Sequence, residues 1–213
     1  MKQKKGSHAG TENRRRDIIR AALACFSELG FAETSMADIR QRSKASTGSI
    51  YHHFKGKEQL ASQVYLEGIS DYQSGLIEEL EKHNEAEKGI YSIVSYHLNW
   101  IRNNPQWSSY LFQKRHSEFM PTVENDVLRL NREFIQRTNN WISLQIKAGA
   151  VKDLPPDIIL SIILGPCMEY TRQFLSGQAN SEIDSAIAQL SEAVWRAIAS
   201  PWDRRKVMNN RSE

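Results

Sequence analysis

The chain has little cysteine, little proline and no long apolar run, and each shortage narrows the reading. Only two cysteines, Cys25 and Cys167, occur in 213 residues. They lie far apart in segments that read as apolar helix faces, which argues against a disulfide framework and for a reducing, cytoplasmic setting. Both read as small core residues, with redox sensing the remoter alternative. Six prolines and eleven glycines leave room for long helices. The longest strongly apolar stretch, Ile158 to Leu164, is interrupted by Ser161 and closed by Gly165-Pro166, far short of the roughly 20 residues of a membrane span. The start of the chain is polar and basic, without the apolar core of a secretory signal. No membrane partner is expected.

Catalytic signatures are missing too. There is no G-x-S-x-G, no glycine-rich phosphate loop, no H-E-x-x-H and no cluster at metal-ligand spacing. His52 and His53 are adjacent, and neighbours on a helix point about 100° apart, so the pair makes a poor metal site. The acidic run from Glu78 to Glu87 reads as a solvated helix end, since no apolar pocket is evident to drive two carboxylate pKa values apart. The expectation is a protein with no cofactor, no metal and no enzymatic role.

What is present is helix-forming and unevenly charged. At 40% hydrophobic, the chain can bury a real core in one small unit and one larger one. A net charge of +3 conceals an asymmetry: residues 1–60 carry a net +6 and residues 61–213 a net −3. A basic end favours a polyanion, because each phosphate it neutralises releases counterions. Lys2, Lys4 and Lys5 alone read as a solvated tail. For Arg14, Arg15 and Arg16, a phosphate-contacting arm and a solvated face remain equally open.

That basic end contains the stretch around which the chain is organised, TSMADIRQRSKASTGSIYHHFKGKEQL, residues 34 to 60. Ser35 is placed to cap a short helix, with Asp38 reaching back in a capping box. After the turn at Lys44-Ala45, Ser46 is placed to cap a second helix from Thr47 to Phe54. Ile50 and Phe54, four apart, share its inward face. Gly48 and His52 point the other way, with Ser49 and Tyr51 on the flanks. A short helix held by two apolar residues and presenting small hydrogen-bonding groups is what a helix-turn-helix lays in the major groove of DNA. The amino end of the first helix, at Thr34 or Ser35, offers backbone N–H groups to a phosphate.

From Asp17 to Leu60 the chain resembles the DNA-binding domain of the TetR family of transcriptional regulators. IIRAALACFSELGFAETSMADI, Ile18 to Ile39, is similar to its first helix, Gly-aromatic turn and second helix. STGSIYHHFKGKEQL, Ser46 to Leu60, is similar to its recognition helix, Tyr-x-His-Phe signature and following Lys-x-x-Leu. Lys44 stands where the family usually has Gly in the turn, and a positive φ there would cost a non-Gly residue about 1–2 kcal/mol. Arg40 replaces a common small residue, leaving looser packing and an added phosphate contact both open. The resemblance implies that Thr47, Gly48, Ser49 and His52 approach base edges. It implies phosphate contacts from Tyr51, His53 and Lys57 beside Lys44 and Ser46. For Tyr51, packing beside Ile50 stays an alternative.

Periodicity predicts helix one over about Glu12 to Leu29, its buried face including Ile18, Phe26 and Leu29. A long helix from Lys57, one from Gly89 to Arg102, one from about Thr122 to Ala148, and two apolar helices, Asp157 to Leu175 and Glu182 to Ser200, follow. The last two ask for burial on two sides, which a two-fold four-helix interface supplies. The resemblance implies an effector pocket in this larger part. Aromatic and polar residues suited to its walls are Tyr96, His97, Trp100, Trp107, Tyr110, Phe112, His116, Trp141 and Glu169. Glu169 is equally placed to pair with Arg172 at an interface or on a plain surface.

The sequence therefore predicts an all-α homodimer: a basic tail over 1–11, a three-helix helix-turn-helix domain over 12–60, an effector-binding and dimerisation domain over 61–202, and a disordered tail over 203–213. Its expected partners are an operator in double-stranded DNA and a small-molecule effector, and its expected role is a repressor released by that effector. The rival readings are a helical carrier or enzyme with a vestigial head, and an architectural DNA binder.

Overall fold

The computed structural model describes residues 5–114 and 123–201, and the side chains of 10–112 and 123–201. Among the described residues the protein is all-α, with nine helices: α1 Lys5–Leu29, α2 Met36–Ser43, α3 Thr47–His53, α4 Lys57–Glu81, α5 Ala86–Asn103, α6 Pro105–Lys114, α7 Glu124–Lys147, α8 Pro156–Leu175 and α9 Ile183–Ile198. Extended pairing among these residues is confined to one isolated bridge, Val151 with Ala199. No helix of the described residues is long and apolar enough to cross a membrane.

The chain forms two compact units. The first holds the chain up to Ile69 together with Gln106–Val127. Its core gathers Ile18, Ile19, Phe26, Ile39, Ile50, Phe54, Leu60 and Val64. Each fully buried side chain of this kind stabilises by about 1.5–3 kcal/mol. α1 starts at Lys5, earlier than the Glu12 that periodicity suggests, and stops where Gly30 takes φ +82°. Leu29, expected on the buried face, is half exposed. The side chains of Trp107 and Tyr110 on α6 enter this same core.

The second unit holds Ser70–Pro105 and the chain from Leu128 onward. α5 packs on α8 and α9, and its apolar stripe of Ile90, Ile93, Val94, Leu98 and Ile101 is buried as the periodicity requires. Phe134, Trp141 and Ile142 of α7 close the larger cluster with Ile159, Ile163, Val194 and Ile198. α8 continues through Pro166. It buries Ile159, Ile163, Cys167 and Thr171 and leaves Ile158 and Met168, at 45% and 36%, on its exposed side.

Candidate nucleic-acid interface

The reading head is built from two caps and a strained turn. Ser35 accepts from the Asp38 N–H at 3.2 Å, while the Asp38 carboxylate accepts from the Ser35 N–H at 2.8 Å, closing the capping box. Hydrogen bonds from the Ser35 side chain and backbone also hold the Asp38 carboxyl below its ordinary pKa. α2 ends at Lys44, the only non-glycine with positive φ among the described residues, at φ 53° and ψ 26°. The turn keeps the left-handed geometry that glycine would adopt without strain. Arg40 is exposed while Ile39 beside it is fully buried, so its length leaves the packing of α2 undisturbed. Ser46 then caps α3 through the Ser49 N–H at 3.2 Å.

α3 is two-faced. Ile50 and Phe54 are buried, whereas Thr47, Gly48, Tyr51 and His52 are exposed and Ser49 is half-buried. Tyr51, at 53% exposure, is no core residue. A Cβ built on Gly48 meets nothing within 4 Å, so this glycine answers to no internal packing demand. His53 is half-buried with its ring against His52 and Phe54. Desolvation, then the charges of His52 and Arg15, push its pKa down.

The Thr34 side chain stands apart from the backbone N–H groups at the start of α2 that are expected to meet a phosphate. It is buried, and its hydroxyl lies 2.7 Å from the Gly30 carbonyl and 3.2 Å from that of Cys25. It adds a second hydrogen bond at the Gly30 carbonyl, which also accepts from the Thr34 N–H at 3.2 Å, so the hydroxyl faces inward. Lys57 is likewise engaged: its ammonium donates to the carbonyls of Phe31 and Ala32. Of the three arginines left open above, Arg15 donates to Gln63 at 2.8 Å and to Glu67 at 3.3 Å on α4, while Arg14 and Arg16 are exposed. The Gln63 and Glu67 tether carries no sequence signal, since both read as ordinary polar positions of a long helix.

The nine residues nominated for an effector pocket do not form one group. Trp107, Tyr110 and Phe112 belong to the first unit. Tyr110 is buried, gives its hydroxyl to the Ala61 carbonyl at 3.0 Å and stacks on Phe26. It is head core, and a buried donor with a satisfied partner has nothing to offer a ligand. His116 lies outside the described residues. In the second unit, Trp141 is fixed by its indole N–H to the His83 carbonyl at 2.9 Å. Glu169 is exposed and paired with Arg172 and Gln173, which hold its carboxyl down to about 2. That is a surface pair within one helix.

Tyr96, His97 and Trp100 do come together. His97 is buried between the Tyr72 hydroxyl, 2.7 Å from Nδ1, and Thr171 Oγ1, 2.9 Å from Nε2. Trp100 donates to Asp71 at 2.9 Å and meets the Tyr72 ring edge-on. This is a filled polar core. A cleft of about 310 Å³ lies elsewhere in the unit, with walls that include Ser70, Gln73, Ser74, Ile77, Phe134 and Arg137. Gln73 donates to Asn131 Oδ1 at 2.8 Å, while its own buried Oε1 has no partner among the described residues. None of the residues expected for the pocket lines this cleft, because Phe134 is the one aromatic residue on its wall whereas the signal legible in the sequence is aromatic density. Among the described residues no group of three or more His, Cys, Asp or Glu is placed to hold a metal.

Residues 18–64 match the family described as bacterial regulatory proteins, tetR family, and residues 65–200 match the tetracyclin repressor-like C-terminal domain. The chain belongs to the TetR family. It is a DNA-binding transcriptional regulator with an N-terminal helix-turn-helix domain and a helical C-terminal domain. A protein of Escherichia coli K12 described as a probable acrEF/envCD operon repressor is 30% identical over 209 residues, 93% of each chain. The HTH-type transcriptional regulator YhgD of Bacillus subtilis, described as uncharacterized, is 22% identical over 71% of this chain and 79% of its own. The fold is shared with a TetR family regulator from Marinobacter aquaeolei, at TM-score 0.71 and 16% identity over 91% of this chain and 99% of that one. It is shared too with the fatty acid degradation regulator FadR of Bacillus halodurans, at TM-score 0.73 and 14% identity over 85% and 94%. These relatives do not favour the carrier, enzyme or architectural readings.

Proposed function

We propose that the protein acts in the cytoplasm as a homodimeric repressor that grips a pseudo-palindromic operator with two heads and leaves it when a small-molecule effector binds. The observation that carries the DNA half is the polarity of α3, sealed at Ile50 and Phe54 and open at Thr47, Gly48, Tyr51 and His52. In this reading Thr47, Gly48, Ser49 and His52 meet base edges. Tyr51, His53, Lys44, Ser46 and the first turn of α2 at Ser35 set the register on phosphates. The repressor role is supported by the 30% identity to the protein described as a probable operon repressor. Footprinting on the chain's own upstream DNA tests it, with two protected half-sites whose centres lie roughly 34–36 Å, or a multiple, apart. A single unpaired footprint contradicts it.

The dimer half of the reading is supported by the exposed Ile158 and Met168 of α8 and the small exposed residues Ala188, Ala193 and Ala197 of α9. Such faces suit the close approach of a second copy in a four-helix contact. The effector half is supported by the cleft lined by Gln73, Ile77, Phe134 and Arg137, which offers polar groups beside an apolar wall. An effector that weakens operator binding must be weakened equally by the operator.

A further inference from the structure

Helices that read bases through side chains do so mostly with arginine, lysine, asparagine or glutamine, whose paired groups match a base edge. α3, TGSIYHH, has none of these and no carboxylate. Its hydroxyls, on Thr47, Ser49 and Tyr51, donate or accept with equal ease and discriminate little between bases. The side-chain nitrogens of α3 belong to His52 and His53. His53 is half-buried, its ring against Phe54 and within the electrostatic reach of Arg15 and Glu12 on α1. His52 is exposed, its ring meets that of His53 edge-on with centroids 5.1 Å apart, and neither of its nitrogens has a hydrogen-bond partner among the described residues. Position 48, four residues earlier on the same face, is the glycine where an added Cβ meets nothing. With no side chain there, the helix backbone can come close to the base pairs. A short side chain such as imidazole needs that closeness where the longer arginine does not.

From this arrangement we propose that His52 is the specificity-determining hydrogen-bond donor of the head and that its target in each half-site is N7 of a guanine. The major-groove edge of guanine sets two acceptors, N7 and O6, side by side, so an imidazole N–H aimed at N7 meets a second acceptor beside it. Adenine places its N6 amino donor next to N7 and opposes a further donor there. Cytosine offers a donor, and the one acceptor of thymine, O4, stands beside the C5 methyl. The two ring nitrogens of one imidazole diverge too far to pair with a single base together, so the contact is a single hydrogen bond. The inference rests on the operator-binding reading and gives that reading a base.

The test uses the full-length protein and its His52→Ala variant. Duplexes that bind the wild type most tightly are selected from a random pool at a stated salt concentration. Each guanine of a selected half-site is then replaced in turn by 7-deazaguanine, which keeps base pairing and phosphate charge and exchanges N7 for C–H. The proposal expects one position per half-site at which this replacement weakens wild-type binding about tenfold. His52→Ala loses a comparable factor per head on the unmodified duplex, keeps the slope of log K against log salt, and is indifferent to 7-deazaguanine at that position. A full 7-deazaguanine penalty that persists in His52→Ala assigns the guanine to another donor, such as the exposed Lys44 ahead of α3, and overturns the proposal. Equal weakening of selected and random duplexes by His52→Ala, with a salt slope shallower by about 0.9 per head, is the mark of a lost phosphate contact and overturns it as well. So does a wild-type protein that tolerates 7-deazaguanine at every position. If selection returns no preferred sequence at all, the operator reading itself fails and this inference falls with it.

Discussion

The Tyr72 hydroxyl donates to Nδ1 of His97 across 2.7 Å, and the direction of that bond is fixed from the far side of the ring. Thr171 donates its hydroxyl to the Cys167 carbonyl at 2.9 Å, so its oxygen accepts from the His97 Nε2–H. The neutral ring is thus satisfied at both nitrogens and the imidazolium is not. Burial pushes the His97 pKa down to about 4. A histidine depressed in the folded state stabilises fully above its unfolded pKa, and that contribution is lost as pH falls from about 6.5 to about 4. Denaturant melts should therefore lose on the order of 3 kcal/mol across that window. His97→Gln should flatten the loss between pH 6.5 and 5, above the range in which carboxylates such as Glu169 titrate. An unchanged slope in that variant would move the effect to other groups.

Lys44 sits at φ 53° where a side chain is disfavoured. Lys44→Gly should relieve about 1–2 kcal/mol of strain and return about 0.5–1 kcal/mol as added unfolded-state entropy, leaving a net gain of roughly 0.5–1 kcal/mol in chemical denaturation. The same variant should lower the salt slope of DNA binding by about 0.9 per head if the exposed ammonium meets a phosphate. Higher stability with a weaker salt dependence separates the two roles of one residue.

Two glycines should respond oppositely to alanine. At Gly48 the added methyl meets nothing, so Gly48→Ala should leave stability unchanged or raise it by up to about 1 kcal/mol. It should still weaken operator binding about tenfold or more by holding α3 off the groove. At Gly89 the new Cβ would overlap the Trp141 ring, whose indole is tied to His83. Overpacking of about 1–3 kcal/mol outweighs the roughly 1 kcal/mol gain in helix propensity, and Gly89→Ala should lower the melting midpoint. Thermal melts and anisotropy titrations on the same preparations check both.

Thr34→Val should destabilise the head by about 0.5–1.5 kcal/mol, the net worth of one hydroxyl hydrogen bond, because the Gly30 carbonyl keeps the backbone N–H of residue 34. Because the hydroxyl faces inward, the salt slope of DNA binding should not move. A shallower slope would restore Thr34 to the phosphate contacts.

The head is legible in the sequence because its signals are local. Ser35 with Asp38, Ser46 ahead of Ile50, and Gly30 after a helix each act within four residues, and the structure forms both caps and the stop. What pattern cannot supply is the partner of a side chain remote in sequence. Neither the inward bond of the Thr34 hydroxyl nor the hold of the Phe31 and Ala32 carbonyls on Lys57 has a local signature. Tyr110 and Trp107 look like pocket walls until α6 is seen to enter the head core. Aromatic density marks burial and does not say which core is being filled, and the cleft at Gln73 has no periodic signature at all.

The central claim is that the exposed face of α3 reads a particular operator. The direct measurement is an anisotropy titration of the purified protein against its own upstream intergenic duplex and a scrambled duplex of equal length, at a stated salt concentration near physiological. The account predicts a preference of about 10³ or more for the native duplex. Equal, weak and steeply salt-dependent binding to both would leave only the electrostatic attraction of a basic head and would contradict it.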